Sequence, residues 1–398
     1  MNTVAEPLLR LAARVDEIQP FYVMELAKEA ARLERAGRDI IHMGIGEPDF
    51  TAPEPVVEAA AAALRSGVTQ YTSALGIHAL REAIAAHYQH AYGLTVDPAR
   101  IVVTAGASAA LLLACTALVD RDDEVLMPDP CYPCNRHFVA AAEGKPVLVP
   151  SGPEARFQLT AADVERLWTA RTRGVLLASP SNPTGTSIEP DELKRIVQSV
   201  RSRGGFTIVD EIYQGLSYDA PPVSALSFGD DVVTVNSFSK YFNMTGWRLG
   251  WLVVPPSLVG AFEKLAQNLF ICASALAQHA ALACFEPDTL KIYEARRLEF
   301  KRRRDFIAPA LESLGFTVPV MPDGAFYVYA DCSNVAHPAA GDSDALTRAM
   351  LHDAGTVMVP GMDFGVAAPR QYVRLSYATA YERLEEAVTR LHTFFGRC

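Results

Sequence analysis

Through the middle of the chain, short apolar runs rich in β-formers alternate with longer helical stretches. The runs Ile101–Thr104, Glu124–Met127, Pro146–Val149, Gly174–Ala178, Thr207–Val209, Val232–Asn236 and Leu249–Val254 read as strands. Helical patterns at Ala107–Leu118, Ala161–Ala170 and Pro190–Arg203 fall between several of them. Strands separated by helices predict an α/β fold: a mostly parallel seven-stranded sheet with helices on both faces. Open sheets of this kind bind ligands beyond the carboxyl ends of their strands. The residues that carry chemistry are therefore expected just after each run.

Further along, the pattern changes. A charged helical stretch covers about residues 290–314, and its basic cluster at Lys301–Arg304 reads as a solvated helix face linking two domains. Beyond it, Phe316–Val320, Ala325–Ala330, Thr356–Val359 and Tyr372–Tyr377 read as strands, and Ser343–Ala354 and Ala380–Phe395 as helices. That is a small α+β domain. The expected organisation is an N-terminal arm over residues 1–50 that joins the small domain, a large domain over 51–290 and the small domain over 291–398. A chain of 398 residues has room for both.

Composition excludes several functions. A net charge of −10 argues against a nucleic-acid surface. No apolar run approaches the ~18 residues of a membrane span, and the N-terminus has no signal-peptide core. Seven cysteines, odd in number and scattered, are no disulfide framework and fit a reducing cytoplasm. Cys131-Tyr-Pro-Cys134 has the spacing of half a zinc site or a redox pair. No second pair sits at ligand spacing, so ordinary thiols and no bound metal are expected.

The strand ends supply five motifs: TAGAS (104–108), DPCYP (129–133), SPSNPTG (179–185), VDEIY (209–213) and NSFSKYFNMTGWRLG (236–250). Each alone has an ordinary reading. Gly106-Ala107-Ser108 before an apolar helix offers N–H groups to a phosphate but also suits a plain helix start. SNPTG suits a turn, Asp210 a cap or ion pair, and Lys240 the surface. A nicotinamide-binding reading fails because Gly44-Ile-Gly46-Glu-Pro lacks a third glycine. A hydrolase elbow fails because Gly106-Ala-Ser108-Ala ends in Ala110.

The set as a whole is far more specific. Asn182 is followed by Asp210 28 residues later, Tyr213 after 3 more, Lys240 after 27 and Arg248 after 8. This order resembles the fold-type I pyridoxal-phosphate enzymes. Ser237-Phe-Ser239-Lys240 with Gly246-Trp247-Arg248 resembles, more narrowly, the lysine segment of class I/II aminotransferases. The resemblance extends from about Phe21 almost to the C-terminus.

The resemblance implies pyridoxal 5′-phosphate as cofactor and a role for each residue. Lys240 is implied to attach the cofactor covalently, then to shuttle a proton to and from the substrate Cα. Asp210 is implied to pair with the pyridine nitrogen, Tyr213 and Asn182 to bond the ring oxygen, and Tyr132 to stack on the ring. Ala107, Ser108, Ser237, Arg248 and, more weakly, Ser239 are implied to cradle the phosphate. Tyr71 matches a tyrosine that reaches the phosphate of the partner subunit, which implies a homodimer with shared active sites. Core packing is its ordinary alternative. Arg374, the Gly46 backbone and Asn182 are implied to bind the substrate carboxylate. Trp247 reads as packing.

The implied reaction moves the amino group of an L-amino acid to a 2-oxo acid such as 2-oxoglutarate or pyruvate, with ping-pong kinetics. Dicarboxylate-specific relatives carry a second basic residue. Here Ser108 stands where one branch has lysine, and residues 268–274 offer no arginine. Phe21, Tyr22, Ile45 and Ile77 are candidates for an apolar pocket favouring neutral or aromatic donors, although ordinary packing is their first reading and the lean is weak. Tyr132 speaks against the acyl-condensing enzymes of this fold. A regulator on the same scaffold needs a DNA-binding domain before the resemblance begins. A carbon–sulfur β-lyase remains the alternative, since no residue separates it from a transaminase.

Overall fold

The computed structural model describes residues 9–12, 15, 18 and 21–396. Its strands are β1 Ile41–His42, β2 Ile101–Thr104, β3 Glu124–Asp129, β4 Lys145–Pro150, β5 Thr172–Ala178, β6 Phe206–Asp210, β7 Val233–Ser237, β8 Gly250–Val253, β9 Tyr327–Asp331, β10 Thr356–Val357, β11 Val359–Pro360 and β12 Tyr372–Ser376. Seven of them form one sheet in the order β2-β8-β7-β6-β5-β3-β4. Only β8 runs antiparallel to its neighbours. The predicted α/β architecture is the observed one.

The two faces of this sheet are covered by different helices. Val125 and Met127 of β3 pack with Ala110, Leu111 and Ala114 of the helix Ala107–Leu118. Leu126 between them points the other way, toward Leu193, Ile196 and Val200 of the helix Pro190–Ser202. The period of two along a strand buried on both faces explains why these runs are continuously apolar. Proline at the first turn, with Asp191 and Glu192 beside it, starts the second helix. The first helix starts differently. Gly106 precedes it at φ +86° and supplies no side-chain cap. The N–H groups of its first turn thus have no partner within the helix.

Strand order reverses between β3 and β5. Strands β3 and β4 lead to one edge, and β5, β6 and β7 lead toward the other. Such a switch opens a crevice at the carboxyl ends. The segments after β3 and β5 carry Tyr132 and Asn182.

The rest of the chain builds smaller sheets. Strands β11, β12 and β9 form an antiparallel trio, and β1 pairs with β10 in parallel, Ile41 opposite Thr356. The helix Pro287–Ser313 leads into this region. Four details differ from the sequence reading. The basic cluster of this helix is not a fully solvated face: Arg303 and Arg304 are buried and pair with Asp49 and Asp219. Residues 356–359 are not one strand: β10 and β11 flank Met358 and belong to different sheets. The stretch 316–320 makes one isolated bridge, Thr317 to Asp331, instead of a strand. The helix from Ser343 stays α only to Ala349 and widens to a π turn over Met350–Ala354.

Candidate active site

Lys240 lies in the turn that leaves β7. Its Nζ donates to the Gly46 carbonyl at 2.6 Å, which ties the turn to the segment after β1. Desolvation pulls its amine down from 10.5 to about 8, and Arg374 and Arg248 push the same way. Asp210 ends the neighbouring strand β6 and is 5% exposed. Its carboxylate accepts one backbone bond, from Ile212 N–H at 3.1 Å. Burial pushes it up from 3.8 to about 7, against the pull of Lys240. A carboxylate so poorly satisfied is built to meet a cation.

Three residues beyond Asp210, the Tyr213 hydroxyl lies 2.8 Å from the Tyr327 hydroxyl. The Tyr327 ring sits 4.6 Å from the Arg374 guanidinium carbon, and the Phe364 ring lies at 4.7 Å. Arg374, on β12, donates from Nη1 to Asn182 Oδ1 at 2.9 Å and from Nη2 to the Gly44 carbonyl. Its Nε is buried without a partner. Gly46 admits no side chain, because a Cβ there would meet the Tyr327 hydroxyl at 2.3 Å.

A second cluster borders the helix start at Gly106. A Cβ on Gly106 would meet Arg248 Nη2 at 2.6 Å, so that guanidinium lies over the glycine. Arg248 itself is at φ +53° and donates from Nη1 to the Thr245 carbonyl at 2.9 Å. The buried Ser237 hydroxyl bonds to Ser239 Oγ at 3.0 Å. Ala107 is half-buried and Ser108 exposed on the first helical turn. Backbone N–H groups, a guanidinium and hydroxyls thus gather where an anion would be held.

Comparison with known proteins agrees with this geometry. The family described as aminotransferase class I and II matches residues 38–391. The chain belongs to this family. It is 41% identical to the valine–pyruvate aminotransferase of Mycobacterium tuberculosis, over 96% of this chain and 97% of that one. It is 35% identical to the aspartate aminotransferase of Geobacillus stearothermophilus, over 97% and 99%. Among solved structures, an aminotransferase from Mycobacterium tuberculosis superposes with a TM-score of 0.92 at 40% identity, covering 98% of this chain and 100% of that chain. The aspartate aminotransferase of Thermus thermophilus with maleate gives 0.89 at 34%, covering 96% and 99%. The protein is an aminotransferase. None of these relatives favours the lyase alternative.

The remaining predicted residues of this aminotransferase fall in different places. Tyr132 caps the helix Pro133–Ala141 and is half-buried, with Asp210 and Tyr327 among the groups that act on it. Tyr71 is 85% exposed, far from the core position that its ordinary alternative requires. Trp247 packs against the main core. Ile77 also packs there, Ile45 is 44% exposed, and Phe21 and Tyr22 are half-buried at the start of the helix Tyr22–Arg35. Cys131 is buried, and burial pushes its thiol up to about 12, the wrong direction for a reactive thiolate. Among the described residues, no helix is long and apolar enough to cross a membrane.

Sequence reasoning missed Tyr327 and Phe364. Tyr327 lies in a run that reads as a strand and Phe364 lies in no motif, and only the fold brings their rings to Arg374. It also missed Asp129. The carboxylate of this buried residue accepts the N–H groups of Val366 and Ala367 and fastens the loop that carries Phe364.

Proposed function

We propose that this aminotransferase binds pyridoxal 5′-phosphate and transfers the amino group of neutral L-amino acids to a 2-oxo acid, with pyruvate and 2-oxoglutarate as acceptors. The observation that carries the reading is a buried-side amine, lowered to about 8, beside a nearly unpartnered carboxylate at the next strand end. The residues fit the cofactor. Asp210 lacks the cation that a protonated pyridine nitrogen would provide. Tyr213 and Asn182 would bond the ring oxygen, and Tyr132 would cover the ring. The helix start at Ala107 and Ser108, with Ser237, Ser239 and Arg248, would hold the phosphate.

When bound, the cofactor supplies an electron sink for charge developing at the substrate Cα. Lys240 moves the Cα proton, a task that only a neutral amine performs, and desolvation makes the neutral form accessible near pH 8. Arg374 holds the α-carboxylate as a two-pronged fork. Asn182 and the Gly44 carbonyl fix that fork before substrate arrives, which lowers the ordering cost of binding.

A neutral donor is supported by the lack of basic residues at Ser108 and across 268–274. The name of the valine–pyruvate relative supports the same choice. The proposed organisation is an arm over residues 1–50 attached to a small domain over 291–398, with a large domain over 51–290. The β1–β10 pairing supports it. The exposure of Tyr71 supports a homodimer in which Tyr71 reaches the partner's phosphate site, and the odd number of scattered cysteines supports a cytoplasmic setting.

The test adds single amino acids to cofactor-loaded protein without any oxo acid. The cofactor's visible band should shift, with one equivalent of 2-oxo acid released per site, fastest for valine-like donors. Pyruvate and ammonia accumulating under an unchanged band would sink the transaminase chemistry. A preference for aspartate would sink the neutral-donor assignment.

A further inference from the structure

We infer that Tyr327 joins the two halves of the site: its hydroxyl sets the direction of the Tyr213 proton, and its ring holds the Arg374 fork. The inference rests on the proposed roles of Tyr213 and Arg374.

Tyr327 opens β9 and is 1% exposed. It touches three site elements at once. Its hydroxyl bonds Tyr213 at 2.8 Å, its ring stacks under the Arg374 guanidinium, and its tip fills the space that Gly46 leaves open.

Proton counting gives the hydroxyl its role. A phenol has one proton to donate and two lone pairs to accept with. Burial pushes both phenols up, so each keeps its proton through the working range. Among the described residues, the hydroxyl of each hydrogen-bonds only the other. If Tyr213 donates to the ring oxygen of a cofactor, it must accept from Tyr327. The chain then runs Tyr327 to Tyr213 to the cofactor, and each bond strengthens the next. The groups facing this pair are Arg374, Asp210 and Tyr132, with Lys240 5.8 Å above the Tyr213 ring. Tyr132 stays neutral as well, because burial pushes it up.

The ring has a separate role. The rings of Tyr327 and Phe364 lie 4.6 and 4.7 Å from the Arg374 guanidinium carbon, and Asn182 and the Gly44 carbonyl accept from its two Nη atoms. Ring faces attract a desolvated guanidinium and restrict its plane.

Two variants of the cofactor-loaded enzyme separate these roles. Tyr327→Phe keeps the ring and loses the proton. It should raise the pH midpoint of the visible band by roughly half a unit, because a weaker Tyr213 donor leaves the ring oxygen more basic. It should lower kcat about fivefold while the KM of the amino acid and the Kd of 3-methylbutanoate, an unreactive carboxylate, stay within about twofold. Tyr327→Leu removes the ring and should also weaken 3-methylbutanoate about tenfold. A Phe variant with the parent's midpoint and kcat overturns the role of the hydroxyl. A Phe variant that loses 3-methylbutanoate affinity as the Leu variant does overturns the separation. A parent without a titrating band, or a Tyr213→Phe variant that leaves the band unmoved, overturns the underlying reading instead. The Phe variant preserves the packed volume, so the hydroxyl's role is decided without the more disruptive Leu change.

Discussion

Two parts of the site are built in opposite ways. The part proposed to hold the cofactor hangs on the ends of adjacent strands of one sheet. Asp210 ends β6, Ser237 ends β7 and Lys240 follows three residues later. The part proposed to hold the substrate carboxylate is assembled from far-apart segments. Arg374 of β12 meets Asn182 192 residues away and Gly44 330 residues away. A parallel sheet places consecutive strand ends together without further instruction. The second part exists only after the smaller sheets dock against the large one. The proposed chemistry therefore rests on the element fixed by local topology, and the proposed recognition rests on the contact between regions.

The largest expected effect tests whether these parts separate at all. Lys240→Ala should lower kcat by roughly a thousandfold or more, since it removes the group proposed to move the Cα proton. Binding of 3-methylbutanoate, measured by calorimetry, should survive because Arg374 is untouched. Loss of both would mean that the bond from Lys240 to the Gly46 carbonyl organises the carboxylate site too. Arg374→Ala is the mirror experiment. It should cut kcat/KM for every amino acid about a hundredfold, the scale of a lost charge-assisted bond. The visible spectrum of the cofactor should remain close to that of the parent.

Two single-methyl changes sharpen the contrast. Gly106→Ala adds a Cβ at φ +86° that would meet Arg248 at 2.6 Å. Strain at such a backbone position costs about 1–3 kcal/mol, so cofactor affinity should fall by roughly tenfold or more. Gly46→Ala adds a Cβ that would meet the Tyr327 hydroxyl at 2.3 Å. It should instead raise KM by about tenfold, because overpacking displaces the ring beneath Arg374. Equilibrium dialysis of the cofactor and steady-state kinetics distinguish the two. The same loss in both variants would erase the division of labour.

The same difference explains what the sequence disclosed. The helix Ala107–Leu118 was legible to the residue, since Gly106 marks its start and an apolar stretch follows. Asp210 and Lys240 each closely follow an apolar run, but alone they read as a cap and a surface lysine, and their proposed roles came from the resemblance. Residues 356–359 were misread as one strand. Val357 and Val359 look alike in sequence, yet one pairs with β1 and the other with β12. That choice depends on partners outside the run, one 315 residues away (His42 to Val357) and one 15 residues away (Val359 to Arg374). Tyr327 was missed for the same reason. Its strand reads as core, and its proposed function lies in a hydroxyl and a ring face that only tertiary contact defines.

The smallest expected effect concerns how the cofactor part waits for its ligand. Burial raises Asp210 from 3.8 to about 7 in the protein alone. Between about pH 4 and 7 the folded state keeps a proton that the unfolded state has lost. The contribution of this group is therefore complete below pH 4 and disappears as pH climbs toward 7. Asp210→Asn removes that loss. Melting temperatures of cofactor-free protein should show the variant gaining on the parent from pH 5 to 7 and holding its lead above. Glu211, raised to about 8 by burial, has the same sign in both proteins, and the part of its rise that the Asp210 charge supplies is lost in the variant, which adds to the variant's lead. The lowered Lys240 acts in another window, between about 8 and 10.5, where stability rises with pH. Adding cofactor should reverse the order. The parent's carboxylate can then pair with a protonated ring nitrogen, and the amide cannot. A difference that stays flat from pH 5 to 7 would mean that Asp210 is already satisfied, and the cofactor part would lose its claim to be built around a missing cation.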